Sequence, residues 1–122
     1  VTVQVVSGGL LPAVAAVATH LGIGSGRVAA VDIRFTPEGA YAGFEQESPL
    51  ARSGGKHEIC KQLLAGKQSL VLIGDGKTDM EAKQAGAFVI GFGGVVHTAI
   101  VREKADVFVA DASLTAVLAH LI

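Results

Sequence analysis

The sequence holds one cysteine, one methionine, three prolines and no tryptophan in 122 residues. A lone Cys60 excludes an internal disulfide framework, so the fold rests on a packed core. With no signal-peptide pattern at Val1, the default compartment is the reducing cytoplasm. No apolar run approaches the roughly 20 residues that a membrane span needs. There is no basic stripe, the net charge is −1 and charged residues are 17 %, which argues against nucleic acid as a partner. The four histidines, His20, His57, His97 and His120, are scattered without ligand spacing and read as surface or half-buried side chains. What is abundant is apolar residues, at 50 %, and glycine, at 16. A length of 122 residues suits a single domain over 1–122, and the glycine content fits many strand-to-helix turns.

The chain is organised around Leu70-Val71-Leu72-Ile73-Gly74-Asp75-Gly76-Lys77-Thr78-Asp79-Met80-Glu81. Four consecutive apolar residues read as a strand buried on both faces, as in parallel sheets. Gly74 and Gly76 bracket Asp75 and let the chain turn where the strand ends. Asp79 then opens a short helical run, Met80 to Ala85, stopped by Gly86. A carboxylate at the C-terminal end of a parallel strand stands where open α/β sheets bind ligands. Asp79 follows about one helical turn later, so both carboxylates can face one crevice. Two hard oxygen donors there suit Mg²⁺, which completes its shell with water and phosphate. The bland alternatives are a solvated turn for Asp75 and a helix N-cap for Asp79.

Upstream, Thr2 to Val6 is β-rich, Ser7-Gly8-Gly9 reads as a turn, and Leu10 to Leu21 reads as a helix with Pro12 in its first turn. Strand, glycine-rich turn and helix is a geometry that cradles anions, although an ordinary connection fits these residues too. Val28 to Thr36 and Ala40 to Glu45 are extended runs joined at Pro37-Glu38-Gly39, which predicts a β-hairpin flap with Ile33 and Phe35 on its buried face. A helix from Gly55 or Lys56 to about Ala65 carries Ile59, Cys60, Leu63 and Leu64 on its core face. Lys56 stands in the first turn, where a cation opposes the helix dipole by about 0.3–1 kcal/mol. An anion nearby would offset that; a plain surface lysine is the alternative. Ala87 to Phe92 is a strand, Val96 to Lys104 a helix, Asp106 to Ala110 a strand and Leu114 to Leu121 a final helix.

Two nucleotide-site decoys fail on spacing. Gly76-Lys77-Thr78 resembles the end of a P-loop, but that loop needs glycine at position 71, which is Val. A dinucleotide fingerprint starting at Gly74 would need its third glycine at Asp79.

The Gly74–Glu81 stretch resembles the fourth motif of the haloacid-dehalogenase-like (HAD) phosphatases, in the Gly-Asp-Gly-x-Thr-Asp-x-Glu form of the phosphoserine phosphatase branch. Val3-Gln4-Val5-Val6-Ser7-Gly8-Gly9 is similar to the second motif of that family, and Ser53-Gly54-Gly55-Lys56 to the third. Glu38-Gly39-Ala40-Tyr41-Ala42-Gly43-Phe44 is similar to the same branch, so the resemblance covers nearly the whole chain.

The resemblance implies a Rossmann-like HAD core: a parallel sheet with helices on both faces and a β-hairpin flap. It implies a Mg²⁺-dependent phosphomonoester hydrolase acting on phosphoserine, in serine biosynthesis. Asp75 would be a direct Mg²⁺ ligand. Ser7, Gly8, Lys56 and Thr78 would hold the substrate phosphate, and Lys56 would also pair with a nucleophilic carboxylate. Asp79 would orient waters and Lys56. The first motif of the family, Asp-x-Asp-x-Thr, supplies nucleophile and general acid, and no Asp-x-Asp occurs in these 122 residues. The expectation is therefore a partial core, 1–122, without its central first strand or cap, and inactive by itself. Mg²⁺ would then bind weakly or not at all. The unpaired strand edges would favour strand exchange, a homo-oligomer or a partner chain in a split enzyme. The alternative is a non-catalytic phosphate-binding or regulatory domain.

Overall fold

A computed structural model of the protein describes residues 1–67 and 69–121. The chain divides into two compact units, Val1–Gly55 and Lys56–Ile122. It is an α/β protein built from parallel strands with helical crossovers and one antiparallel hairpin.

In the first unit, β1 (Val5–Leu10) runs into α1 (Leu11–His20) and returns as β2 (Val28–Val31), parallel to β1. Ala18 of α1 and Val31 of β2 are buried. Gly22, at φ 74°, ends α1 in a left-handed conformation that places the Ile23 amide 2.8 Å from Ala18 O. Ser7-Gly8-Gly9 does not form the expected turn after the strand; it lies inside β1. The register explains how. Val6 pairs with Ala29 and Leu10 with Val31, so the longer path through Ser7, Gly8 and Gly9 bulges out of the ladder.

The run expected as one strand from Val28 to Thr36 breaks at Asp32, whose carboxylate accepts from the Ile33 amide at 2.9 Å. Beyond it, β3 (Ile33–Phe35) and β4 (Tyr41–Phe44) make the antiparallel hairpin. Its turn is closed by the Thr36 amide to Ala40 O at 2.8 Å. The aromatic face is open rather than buried, with Phe35 and Tyr41 56 % and 62 % exposed. A two-stranded hairpin has no second layer of its own to cover that face.

In the second unit, α2 (Gly55–Leu64) leads to β5 (Val71–Gly74), β6 (Phe88–Phe92), α3 (Ala99–Lys104) and β7 (Val107–Val109). The sheet is parallel, in the order β5-β6-β7. Helices cover both faces. Val89 on one side of β6 packs with Cys60, Met80, Ala82 and Val101; Ile90 on the other packs with Val117 from the 3₁₀ segment Leu114–His120. The two runs expected as α-helices after β5 and at the end of the chain are both 3₁₀, over Lys77–Lys83 and Leu114–His120. Each is short and closed by i→i+3 bonds, such as the Gln84 amide to Glu81 O at 3.2 Å.

β5 is not buried on both faces. Val71 and Ile73 are each 38 % exposed, while Leu72 between them packs into the core. The reason is position: among the described residues β5 is bonded to β6 alone and stands at an edge of this sheet. The glycines at and just after the end of β6 make room for packing. A Cβ on Gly91 would come within 2.7 Å of Val101 Cγ1, and one on Gly93 would enter the Phe108 ring.

Asp106 joins the strands at their entry. Its carboxylate accepts from the Val89 amide at 2.8 Å and from Lys83 at 2.9 Å, while Lys83 also donates to Lys104 O at the end of α3. The Val89 amide, followed by Lys83, holds the Asp106 carboxyl below its ordinary pKa of 3.8. A depressed folded-state pKa stabilises above the unfolded value and is lost as pH falls through the folded one. The stability gap between the wild type and Asp106→Asn is therefore expected to be constant from neutral pH to about 4 and to shrink below 3.8. Urea midpoints at stepped pH check it.

Candidate functional site

The end of β5 positions the site. After Gly74 the chain turns through Asp75 and Gly76 and enters the 3₁₀ segment, in which Asp79 is the third residue. Asp79 therefore does not open the helical segment as its N-cap, as the sequence suggested; it sits at the third position and caps the segment from inside, through the Gly76 amide. It is buried inside the first turn and folds back over the residues before it. One carboxylate oxygen, Oδ2, accepts from the Gly76 amide at 2.9 Å. The other, Oδ1, accepts from Lys56 Nζ at 2.6 Å.

Lys56 reaches this carboxylate from the first turn of α2. Its ammonium would oppose the helix dipole there, and Asp79 is the anion that offsets it. The side chains are 17 % and 11 % exposed, so the pair is largely withdrawn from water. Such a pair adds little net stability, because desolvation opposes the Coulomb gain. What it does give is a fixed ammonium beside a fixed carboxylate. His57, next along α2, has Nδ1 3.4 Å from Glu81 O and ties the helix to the same 3₁₀ segment. One turn further on, Cys60 is fully buried; burial pushes its thiol pKa up, with Lys56 opposing and Asp79 adding to the rise. It is a core thiol.

Among the residues singled out in the sequence, the structure joins Lys56 and Asp79 directly. Asp75 and Thr78 flank them, both exposed, on the same turn after β5. Ser7 and Gly8 belong to the first unit. There the Ser7 hydroxyl oxygen accepts from the Gly9 amide at 3.0 Å, which leaves its O–H to donate. Gly8 is exposed in the bulge of β1. Sequence reasoning missed the part played by Gly74 and Gly76. They were read as supplying backbone freedom, yet neither has a positive φ. A Cβ on Gly74 would overlap Asp79 Cγ and Oδ2, so the glycine is there for space.

No protein-family model matches the chain. It is 41 % identical over 114 residues to the phosphoserine phosphatase of Bos taurus and 40 % identical over 114 residues to that of Homo sapiens, covering 91 % of this chain and 50 % of the relative in each case. It is 34 % identical over 110 residues to the chloroplastic phosphoserine phosphatase of Arabidopsis thaliana, covering 87 % of this chain and 37 % of that protein. The chain thus spans about half the length, or less, of these relatives. Among solved structures, a substrate-bound phosphoserine phosphatase superposes with a TM-score of 0.78 at 26 % identity, over 98 % of this chain and 55 % of that one. A phosphoserine phosphohydrolase-like protein from Francisella tularensis shares the fold, with a TM-score of 0.80 at 22 % identity over 99 % of this chain and 55 % of that one. A sequence and a fold shared this extensively lead to one assignment: the chain belongs to the phosphoserine phosphatase branch of the haloacid-dehalogenase-like family, and it spans about half the length of the relatives it matches.

Proposed function

We propose that residues 1–122 form part of the core domain of a Mg²⁺-dependent phosphomonoester hydrolase of phosphoserine phosphatase type, acting in serine biosynthesis, and supply the electrostatic half of its site. The observation that carries this reading is the Lys56–Asp79 pair, 2.6 Å apart and largely out of water, beside the C-terminal end of β5. An ammonium largely out of water and held by a carboxylate is aimed rather than floppy, and a positioned cation is what a phosphoryl group needs as charge builds on its oxygens.

In this reading Lys56 bonds a phosphate oxygen while Asp79 keeps its ammonium in place. Thr78, exposed on the same turn, donates its hydroxyl to the phosphate. Ser7 and the Gly8 amide, in the first unit, keep the phosphate-binding role that the family resemblance implies. Asp75 is an exposed carboxylate at the strand tip. A single hard oxygen ligand fits Mg²⁺, which takes one or two carboxylates and fills its shell with water and phosphate. When bound there, the ion would neutralise charge on the phosphoryl oxygens. The 122 residues contain no Asp-x-Asp to provide nucleophile and general acid, so on their own they bind phosphate without turning it over.

Calorimetric titration of the 122-residue chain with inorganic phosphate tests this. Saturable binding is expected, weakened at least about tenfold in Lys56→Ala, the loss typical of a charge-assisted hydrogen bond. Equal phosphate affinity in both proteins would remove Lys56 from the site. Unchanged affinity with and without Mg²⁺ would favour a non-catalytic phosphate-binding domain.

A further inference from the structure

The absence of a side chain at one position decides whether the Lys56–Asp79 pair can exist. Gly74, the last residue of β5, pairs in register with Gly91 of β6, and the two point to the same face of the sheet. Val89 and Leu72, two residues earlier on their strands, pack on that face against Cys60, Met80 and Val101. The segment Lys77–Lys83 and α3 cover it. At Gly91 a Cβ would meet Val101 Cγ1 at 2.7 Å and Ala105 Cβ at 2.9 Å. At Gly74 a Cβ would fall on Asp79 itself, overlapping Cγ and Oδ2 and lying 2.5 Å from its Cβ. The Asp79 carboxylate therefore occupies the volume in which a side chain at position 74 would stand. Gly76 is different. A Cβ there would approach Asp79 Oδ2 only to 3.3 Å, a contact that a small shift relieves.

We infer that Gly74 is a positioning residue: the empty space over its Cα seats the Asp79 carboxylate, and through it sets the direction of the Lys56 ammonium. Any side chain at 74 pushes Asp79 out of reach of Lys56 while leaving Lys56, Asp79 and their charges in the protein. The functional weight of this seat rests on the phosphate reading above, but its test does not use phosphate.

The test is a double-mutant cycle on the 122-residue chain, with Gly74→Ala, Asp79→Gly and the double variant followed by urea unfolding. Alanine is ordinarily better than glycine within a strand. With Asp79 present, Gly74→Ala is expected to lower the folding equilibrium constant by at least about tenfold; with Asp79→Gly it is neutral or favourable, which is the coupling of groups in contact. Gly76→Ala has a much smaller effect. The second readout is the acylation rate of Lys56, followed by peptide mass spectrometry at a pH where the wild type is folded. Gly74→Ala raises that rate toward the Asp79→Gly level, because the ammonium loses its partner. A substitution that only loosened the strand would leave Lys56 at its wild-type rate. If Gly74→Ala fails to fold and the double variant folds, the clash with Asp79 is the cause and the inference stands. An equal cost in both backgrounds, failure of both to fold, or an unchanged Lys56 rate overturns it. A chain that binds no phosphate yet shows the coupling would refute the functional reading and leave the seat in place.

Discussion

Asp79→Ala is expected to be among the most damaging single changes in this chain, at about 3 kcal/mol of stability. The estimate has two parts. Lys56, 17 % exposed, is left with an ammonium that has lost its carboxylate partner. The Gly76 amide, which Asp79 Oδ2 accepts from at 2.9 Å, loses its acceptor. Removing one member of a buried pair costs far more than the pair contributes, because the survivor keeps its desolvation penalty. Asp79→Asn separates the two parts. It keeps an acceptor for Gly76 and removes the charge, so its cost should fall between wild type and Asp79→Ala. Urea denaturation measures all three. Equal stability of Asp79→Ala and wild type would mean that the pair is solvated and that Lys56 is not held.

Ile90→Ala is expected to cost about 4 kcal/mol, within the usual range for a fully buried aliphatic side chain. Ile90 is 0 % exposed on the central strand of its sheet and packs with Val109 and Val117. Ile73 is a natural control. It pairs in register with Ile90 on the same sheet face, yet it is 38 % exposed on the edge strand. Ile73→Ala should cost roughly 1–2 kcal/mol, since much of its surface is already wet and no closed cavity forms. A cost for Ile73→Ala as large as that for Ile90→Ala would show that the outer face of β5 is covered in solution, for instance by a second chain.

These elements show how far the sequence was legible. The apolar runs at Leu70 and Ala87 identified two strands because an unbroken run of that length has few other uses in a small chain. α2 was legible from the spacing of Ile59, Cys60, Leu63 and Leu64. The same runs could not say which strand was central. Burial depends on what lies beside a strand, and β5, read from its apolar run as buried on both faces, stands at an edge of its sheet. The 3₁₀ form of Lys77–Lys83 was not visible either. Its composition is ordinary for an α-helix, and the tight turn follows from Asp79 folding back over Gly74 and Gly76.

The site was legible in its residue types and less so in their geometry. Lys56 stood out because a cation in a first helical turn calls for an anion, and Asp79 is that anion. The role of Gly74 was hidden. Glycine at a strand end looks the same in sequence whether it serves a turn or an empty volume, and only the three-dimensional position of Asp79 separates the two. Ser7-Gly8-Gly9 was hidden in the same way, because a bulge inside a strand and a turn after it share one composition.

The most direct test of the account is a phosphorus NMR experiment in which phosphoserine and Mg²⁺ are added to the 122-residue chain and followed with time. The phosphoserine resonance is expected to broaden with the wild-type chain, to stay sharp with Lys56→Ala, and to give no inorganic phosphate in either sample. A resonance equally sharp in both would mean that Lys56, Asp79 and the strand tip form no phosphate site. Inorganic phosphate growing at an enzymatic rate would mean that these residues hold a nucleophile which the present account does not recognise.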